Sequence, residues 1–157
     1  MKALIGATFG ASILFASSVA LAGEQVLEFK LVTKGTDMKV IQAANIEGRT
    51  LGVGNLFGVA FFKDGRVAAK EFVGGFDTLK GQGKYWGYST YTFEDGSTIT
   101  ASYVAGVSGG KFHGDYTILS GTGLYDKATG TGTFDGLPTK WQDGASLFEG
   151  KFNVKTP

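Results

Sequence analysis

From Gln25 onward, apolar and polar residues alternate in short runs separated by turn-forming residues. A period of two places successive side chains on opposite faces of an extended chain, so each run predicts a strand with one buried face. The runs are Gln25–Val32, Met38–Ala43, Asn55–Lys63, Arg66–Val73, Lys84–Glu94, Ser97–Ala105, Phe112–Ser120, Thr129–Asp135 and Ser146–Val154. Asn45–Gly54 shows no clear pattern and reads as a loop, with or without a short helical turn. No window after residue 22 carries a helical stripe, because glycine and β-branched residues interrupt every one. Nine short strands at regular spacing predict a single all-β domain over residues 23–157, a barrel or a sandwich, with Met38–Ala43 the weakest of the nine.

Four Asp-Gly dipeptides punctuate the pattern, at Asp64-Gly65, Asp95-Gly96, Asp135-Gly136 and Asp143-Gly144. Asp-Gly suits a two-residue hairpin loop, since both central positions need positive φ. Applied to Asp95-Gly96, such a loop opposes Glu94 to Ser97. The register then pairs Thr92 with Ile99, Tyr88 with Tyr103 and Trp86 with Ala105 on one face. Trp86, Tyr88, Ile99 and Tyr103 thus share a face, and their polar tips suit the wall of a semi-polar cavity. These four are the expected ligand-binding residues. Ordinary core packing, with each tip bonded to backbone, is the alternative for the same face.

The first 22 residues differ from the rest. Lys2 supplies one positive charge, Ala3–Leu21 carries none, and Ala20-Leu21-Ala22 offers small residues where a signal peptidase reads. Residues 1–22 are expected to be a secretory signal peptide, cut after Ala22 and leaving no stable membrane anchor. The expected location is secreted or periplasmic.

Composition narrows the chemistry. The 157 residues carry a net charge of +1, one histidine, 26 glycines and no cysteine. Without cysteine there is no disulfide framework, thiol nucleophile or iron–sulfur cluster, and one histidine cannot make a multi-histidine metal site. No metal ligand set and no cofactor are expected. Near-neutral charge argues against nucleic acid as a partner.

Enzyme motifs fail on context. Gly106-Val107-Ser108-Gly109-Gly110 spells G-x-S-x-G, yet a strand rather than a helix follows it, so a flexible inter-strand loop is the expected structure. His113 shares a face with Asp115, opposite Phe112, Tyr116 and Ile118, and is expected to face solvent. The paired glycines match no phosphate-binding fingerprint. Glu71 is the catalytic candidate. Strict alternation sets it with Val67, Ala69 and Val73, and an inward carboxylate among apolar groups would hold a raised pKa and could serve as acid, base or anchor. The alternative is a carboxylate reaching water beside Lys70.

Tyr116-Thr117-Ile118-Leu119-Ser120-Gly121-Thr122-Gly123-Leu124-Tyr125, followed by Ala128-Thr129-Gly130-Thr131-Gly132, resembles the glycine motif of the dirigent and allene oxide cyclase superfamily. In that group a strand ends in a Gly-[ST]-Gly turn, an aromatic follows, and a strand of small residues returns. Ser120 stands where the pattern has its first glycine. The order of elements agrees from Asn55 to Val154. The resemblance implies a single antiparallel β-barrel of about eight strands, calycin-like, with an apolar interior, often trimeric, acting on hydrophobic small molecules; with nine runs for eight places, it makes Met38–Ala43 a flank or part of a loop. It carries no catalytic residue over by position. The expected function is therefore a secreted barrel that binds a small hydrophobic or aromatic molecule in its lumen. A cyclase- or isomerase-like enzyme and a structural secreted protein are the alternatives.

Overall fold

The computed structural model describes residues 23–141 and 144–157, so the expected signal peptide and Asp143 lie outside the described residues. Eight strands follow one another: β1 (Gly23–Gln42), β2 (Arg49–Phe62), β3 (Val67–Leu79), β4 (Gln82–Phe93), β5 (Thr98–Ser108), β6 (Lys111–Thr122), β7 (Thr129–Leu137) and β8 (Ser146–Thr156). Each pairs antiparallel with the next, and β8 pairs with β1 to close a barrel. Closure removes the exposed strand edges that an open sheet would leave. A 3-10 turn at Gly123–Tyr125 joins β6 to β7. The all-β domain expected from the alternation and the eight-stranded barrel implied by the resemblance are the fold observed.

An eight-stranded barrel has an interior only wide enough for side chains or one small ligand. Here it is filled mainly by rings. Phe29, Phe62, Tyr91, Phe93, Tyr116, Phe134 and Phe152 are buried, with aliphatic Leu27, Leu31, Ile99, Ile118 and Val154 between them. Neighbouring rings meet tilted or edge-on at centroid separations such as 5.0 Å for Tyr116–Phe152 and 5.1 Å for Tyr91–Phe152. These are the offsets that aromatic quadrupoles favour.

Three sequence expectations change. Met38–Ala43 is not a separate element: β1 runs through it, with a register shift against β2 between Gly35 and Asp37. The extra residue, Thr36, donates its hydroxyl to the carbonyl of Asn55 at 3.0 Å. A bulge reverses which parity points inward. Before it Leu27, Phe29, Leu31 and Thr33 are buried, and after it Met38 reaches the lumen. Asn45–Gly54 is loop only as far as residue 48, where β2 begins at Arg49.

The third change concerns the Asp-Gly hairpins. The N–H of Phe93 donates to the carbonyl of Ser97 at 2.9 Å, and that of Gly96 to Phe93 at 3.0 Å. The loop is therefore three residues, Glu94-Asp95-Gly96, with Gly96 in the left-handed region at φ 82°. This is the turn-plus-bulge loop that needs glycine at its last position. Asp95 locks it by accepting from the backbone N–H of Ser97 at 2.9 Å and its hydroxyl at 2.6 Å. Lys63-Asp64-Gly65 repeats the pattern, with Phe62 bonded to Arg66 and Gly65 at φ 91°.

Candidate functional site: the lumenal cavity

One end of the barrel is sealed. Tyr125, delivered by the 3-10 turn, stacks on Phe93 at 5.0 Å, and Phe93 lies 5.0 Å from Phe62. Arg66 covers these rings, its guanidinium 5.4 Å from the Phe93 centroid and donating to the Tyr125 hydroxyl and the Asp64 carboxylate. Below mid-height Phe29, Tyr91 and Phe152 complete a dry plug.

Above that plug the lumen is open. A cavity of about 310 Å³ has Leu31, Lys70 and Tyr116 at its floor and Phe72, Tyr103 and Phe134 in its wall, and Phe76, Phe112, Phe148 and Met38 near its rim. The rim rings are only half-buried, so the cavity meets solvent there. Glycines on inward positions let the lining side chains lie back against the wall. Gly74 of β3 pairs with Gly87 of β4, and the Tyr103 ring lies across the pair; a Cβ at Gly87 would stand 2.8 Å from its hydroxyl.

Among the described residues, Lys70 is the one charged side chain lining this cavity, and it is only 3% exposed. It points inward because β3 alternates Ala68, Lys70, Phe72, Gly74 and Phe76 toward the lumen. Its Nζ donates to the Tyr116 hydroxyl at 3.0 Å, and Tyr116 shares a second hydrogen bond of 3.0 Å with Tyr91. Four rings surround the amine, with Phe72 4.2 Å, Tyr91 5.2 Å, Tyr116 5.3 Å and Tyr103 5.6 Å from Nζ to centroid. Among the described residues no carboxylate enters this shell. Burial alone lowers the lysine pKa to about 7. The same burial pushes the Tyr103 phenol up to about 12 and the Tyr91 and Tyr116 phenols higher, so all three stay protonated near neutrality. Ser89, also on the inward face of β4, has a buried hydroxyl with no hydrogen-bond partner.

No family model matches the chain, and no curated protein matches it. Among solved structures, the pterocarpan synthase dirigent protein GePTS1 superposes with a TM-score of 0.56 at 16% identity, covering 94% of this chain and 98% of that one. The pterocarpan synthase dirigent protein PsPTS1 gives 0.55 at 16% identity, covering 84% and 94%. The chain has the dirigent fold. In this dirigent-type barrel the glycine motif ends β6 at Gly121-Thr122-Gly123 and supplies Tyr125 to the sealed end, away from the cavity.

The four expected ligand residues separate. β4 and β5 pair Gly87 with Tyr103 and Tyr91 with Ile99, one residue out of the expected register. Tyr103 lines the cavity, and Ile99 is fully buried in the lumen but deeper, toward the sealed end. Trp86 and Tyr88 lie on the outer surface, 47% and 60% exposed, beside Val73 and Val104. Glu71 is exposed as well, opposite Phe57 and Thr90 on the outer face. It is not an inward carboxylate; its neighbour Lys70 takes the lumen. His113 faces solvent as expected, its Nδ1 2.7 Å from Asp135, which raises its pKa. The signal for Lys70 in the sequence is its alternate spacing with Ala68 and Phe72.

Proposed function

We propose that the barrel binds a small, flat aromatic molecule in its lumenal cavity. The carrying observation is a ring-lined space of about 310 Å³, open at one end and closed at the other. That volume sits at the lower end of small-molecule sites and suits one or two fused rings. Rings bury large apolar area at little entropic cost, and the Tyr103 hydroxyl and Lys70 amine add direction.

A naphthalene probe such as 2-naphthamide tests the reading by its own fluorescence. Binding should blue-shift the emission, and Leu56→Trp, which fills the cavity from β2, should abolish the shift while the fold persists by circular dichroism. Trp86→Phe should leave it unchanged, because Trp86 is on the outer surface. Equal binding by the filled variant would place the probe outside the lumen and sink the proposal.

A second reading is that the barrel also transforms its ligand, as a cyclase or isomerase. It is favoured by Lys70, since an amine with a pKa of about 7 can take up or release a proton near neutral pH.

We further propose that the protein is exported and cleaved after Ala22, on the strength of the uncharged run and the Ala20-Leu21-Ala22 pattern. N-terminal sequencing of protein recovered outside the cytoplasm should begin at Gly23. Recovery with Met1 intact in a membrane fraction would reject cleavage.

A further inference from the structure

We infer that the ligand of this cavity is an organic acid: a one- or two-ring aromatic carboxylate whose anionic group is held by Lys70 and whose rings lie against Phe72, Tyr103 and Phe134. The inference rests on the lumenal reading above and adds the ligand's charge.

The site is asymmetric in a way that a purely apolar ligand would not use. Its walls are mainly hydrocarbon and aromatic faces, with Thr33 and Ser146 among them, and its floor carries the Lys70 amine. An amine that donates one hydrogen bond, to Tyr116, retains further donor capacity. A lysine taken out of water normally needs an opposite charge nearby. Phe72, Tyr91, Tyr103 and Tyr116 ring it with π faces that favour a cation but supply no anion. The Tyr116 and Tyr91 hydroxyls form a chain beneath it. From the remaining elements Leu31 and Thr33 of β1, Leu56 of β2, Phe134 of β7 and Phe148 of β8 face the same space, none of them ionisable. A carboxylate entering from the rim would therefore meet one cationic partner at the bottom and rings on all sides. In this low-dielectric setting, a charge-assisted hydrogen bond is stronger than at the surface.

Proton linkage makes the inference testable in the wild-type protein. Burial lowers the Lys70 amine to about 7, whereas the phenols of Tyr85, Tyr91, Tyr103 and Tyr116 that line or floor the same cavity are all raised and remain neutral through this range. His113, whose pKa is raised by Asp135, is on the outer surface, away from the cavity. A carboxylate prefers the protonated amine, so its affinity must fall as pH rises through the lysine's value. Between pH 6 and pH 8 the dissociation constant of 2-naphthoate should rise about tenfold, while that of uncharged 2-naphthamide should not rise. Lys70→Met should weaken 2-naphthoate by roughly 10- to 100-fold, the worth of a charge-assisted contact, and should spare the amide. Lys70→Arg should restore part of the loss.

Two failures are distinct. If naphthoate and naphthamide bind the wild type equally at every pH and Lys70→Met changes neither, the acid is wrong and the aromatic cavity stands. If neither probe binds, the lumenal reading falls and takes the acid with it.

Discussion

Lys70→Met is expected to stabilise the protein by about 3 kcal/mol at pH 7. Replacing a buried charged group with an apolar one of similar length commonly gains stability when no good counter-charge is lost. Lys70 has no such counter-charge: its polar partner is the Tyr116 hydroxyl, which keeps its bond to Tyr91 after the change. The magnitude follows from the pKa. Folding moves the amine from 10.5 to about 7, which disfavours the folded state by a total of about 5 kcal/mol at about 1.4 kcal/mol per unit. Losing the hydrogen bond and the cation–π contacts returns part of that.

The pH dependence has a definite sign. Below pH 7 the amine is protonated in both states, and the penalty is constant and complete. Between about 7 and 10.5 the unfolded chain holds a proton that the folded protein does not, so stability rises with pH. The buried phenols act oppositely. Their raised pKa values leave the folded protein holding protons that the unfolded chain loses above 10.0, and stability falls there. Wild type should therefore climb from pH 7 and turn over near pH 10. Subtracting the Lys70→Met curve removes the phenol contribution and leaves the lysine's rise alone. Urea melts of both proteins across pH 6–10 measure it; a flat difference curve would show that Lys70 is not dry. A side chain that costs this much stability yet lines the lumenal cavity fits a site better than a core.

The strands were legible because alternation and turn residues are local signals, whereas their closure into a barrel came from the glycine motif's resemblance. Which face of each strand looks inward was not legible, because it depends on the loop by one residue. Assigning Asp95-Gly96 a two-residue loop shifts the register and reverses the inward face of one strand against the other. That slip mixed outer Trp86 and Tyr88 with inner Ile99 and Tyr103. Aromatic content could not correct it, since Phe57, Phe61, Trp86 and Tyr88 are outside while Tyr85, Tyr91 and Phe93 are inside. A better clue was Ser97, whose hydroxyl and N–H both complement Asp95 in a three-residue loop.

The start of β2 hid for a different reason. Leu51 and Val53 face out, and Gly52 and Gly54 face in, where the Phe76 ring and Met38 occupy the space their side chains would need. An apolar-outside, glycine-inside strand shows no amphipathic stripe. Lys70 was obscured by the same parity question. Either Glu71 or Lys70 had to face the lumen, and only the turn at Asp64 decides between them.

Phe152→Ala is expected to destabilise the protein by about 3–5 kcal/mol, the usual cost of emptying a fully buried ring site. Phe152 is completely buried and packs on Phe29, Tyr91 and Tyr116 at 5.2, 5.1 and 5.0 Å. Its loss does more than leave a void, because Tyr91 and Tyr116 separate it from Lys70 by one ring. The void would join the cavity above, and water could follow the Tyr91–Tyr116 hydroxyl pair downward. A hydrated Lys70 recovers toward its ordinary pKa, so the rise in stability above pH 7 should shrink in this variant. The two substitutions should then fail to add: Lys70→Met should gain clearly less in the Phe152→Ala background than in wild type. Urea melts of the four proteins at pH 7 give the coupling directly. Additive changes would mean that the floor stays sealed without Phe152, and that Tyr91 and Tyr116 alone keep water from the lysine.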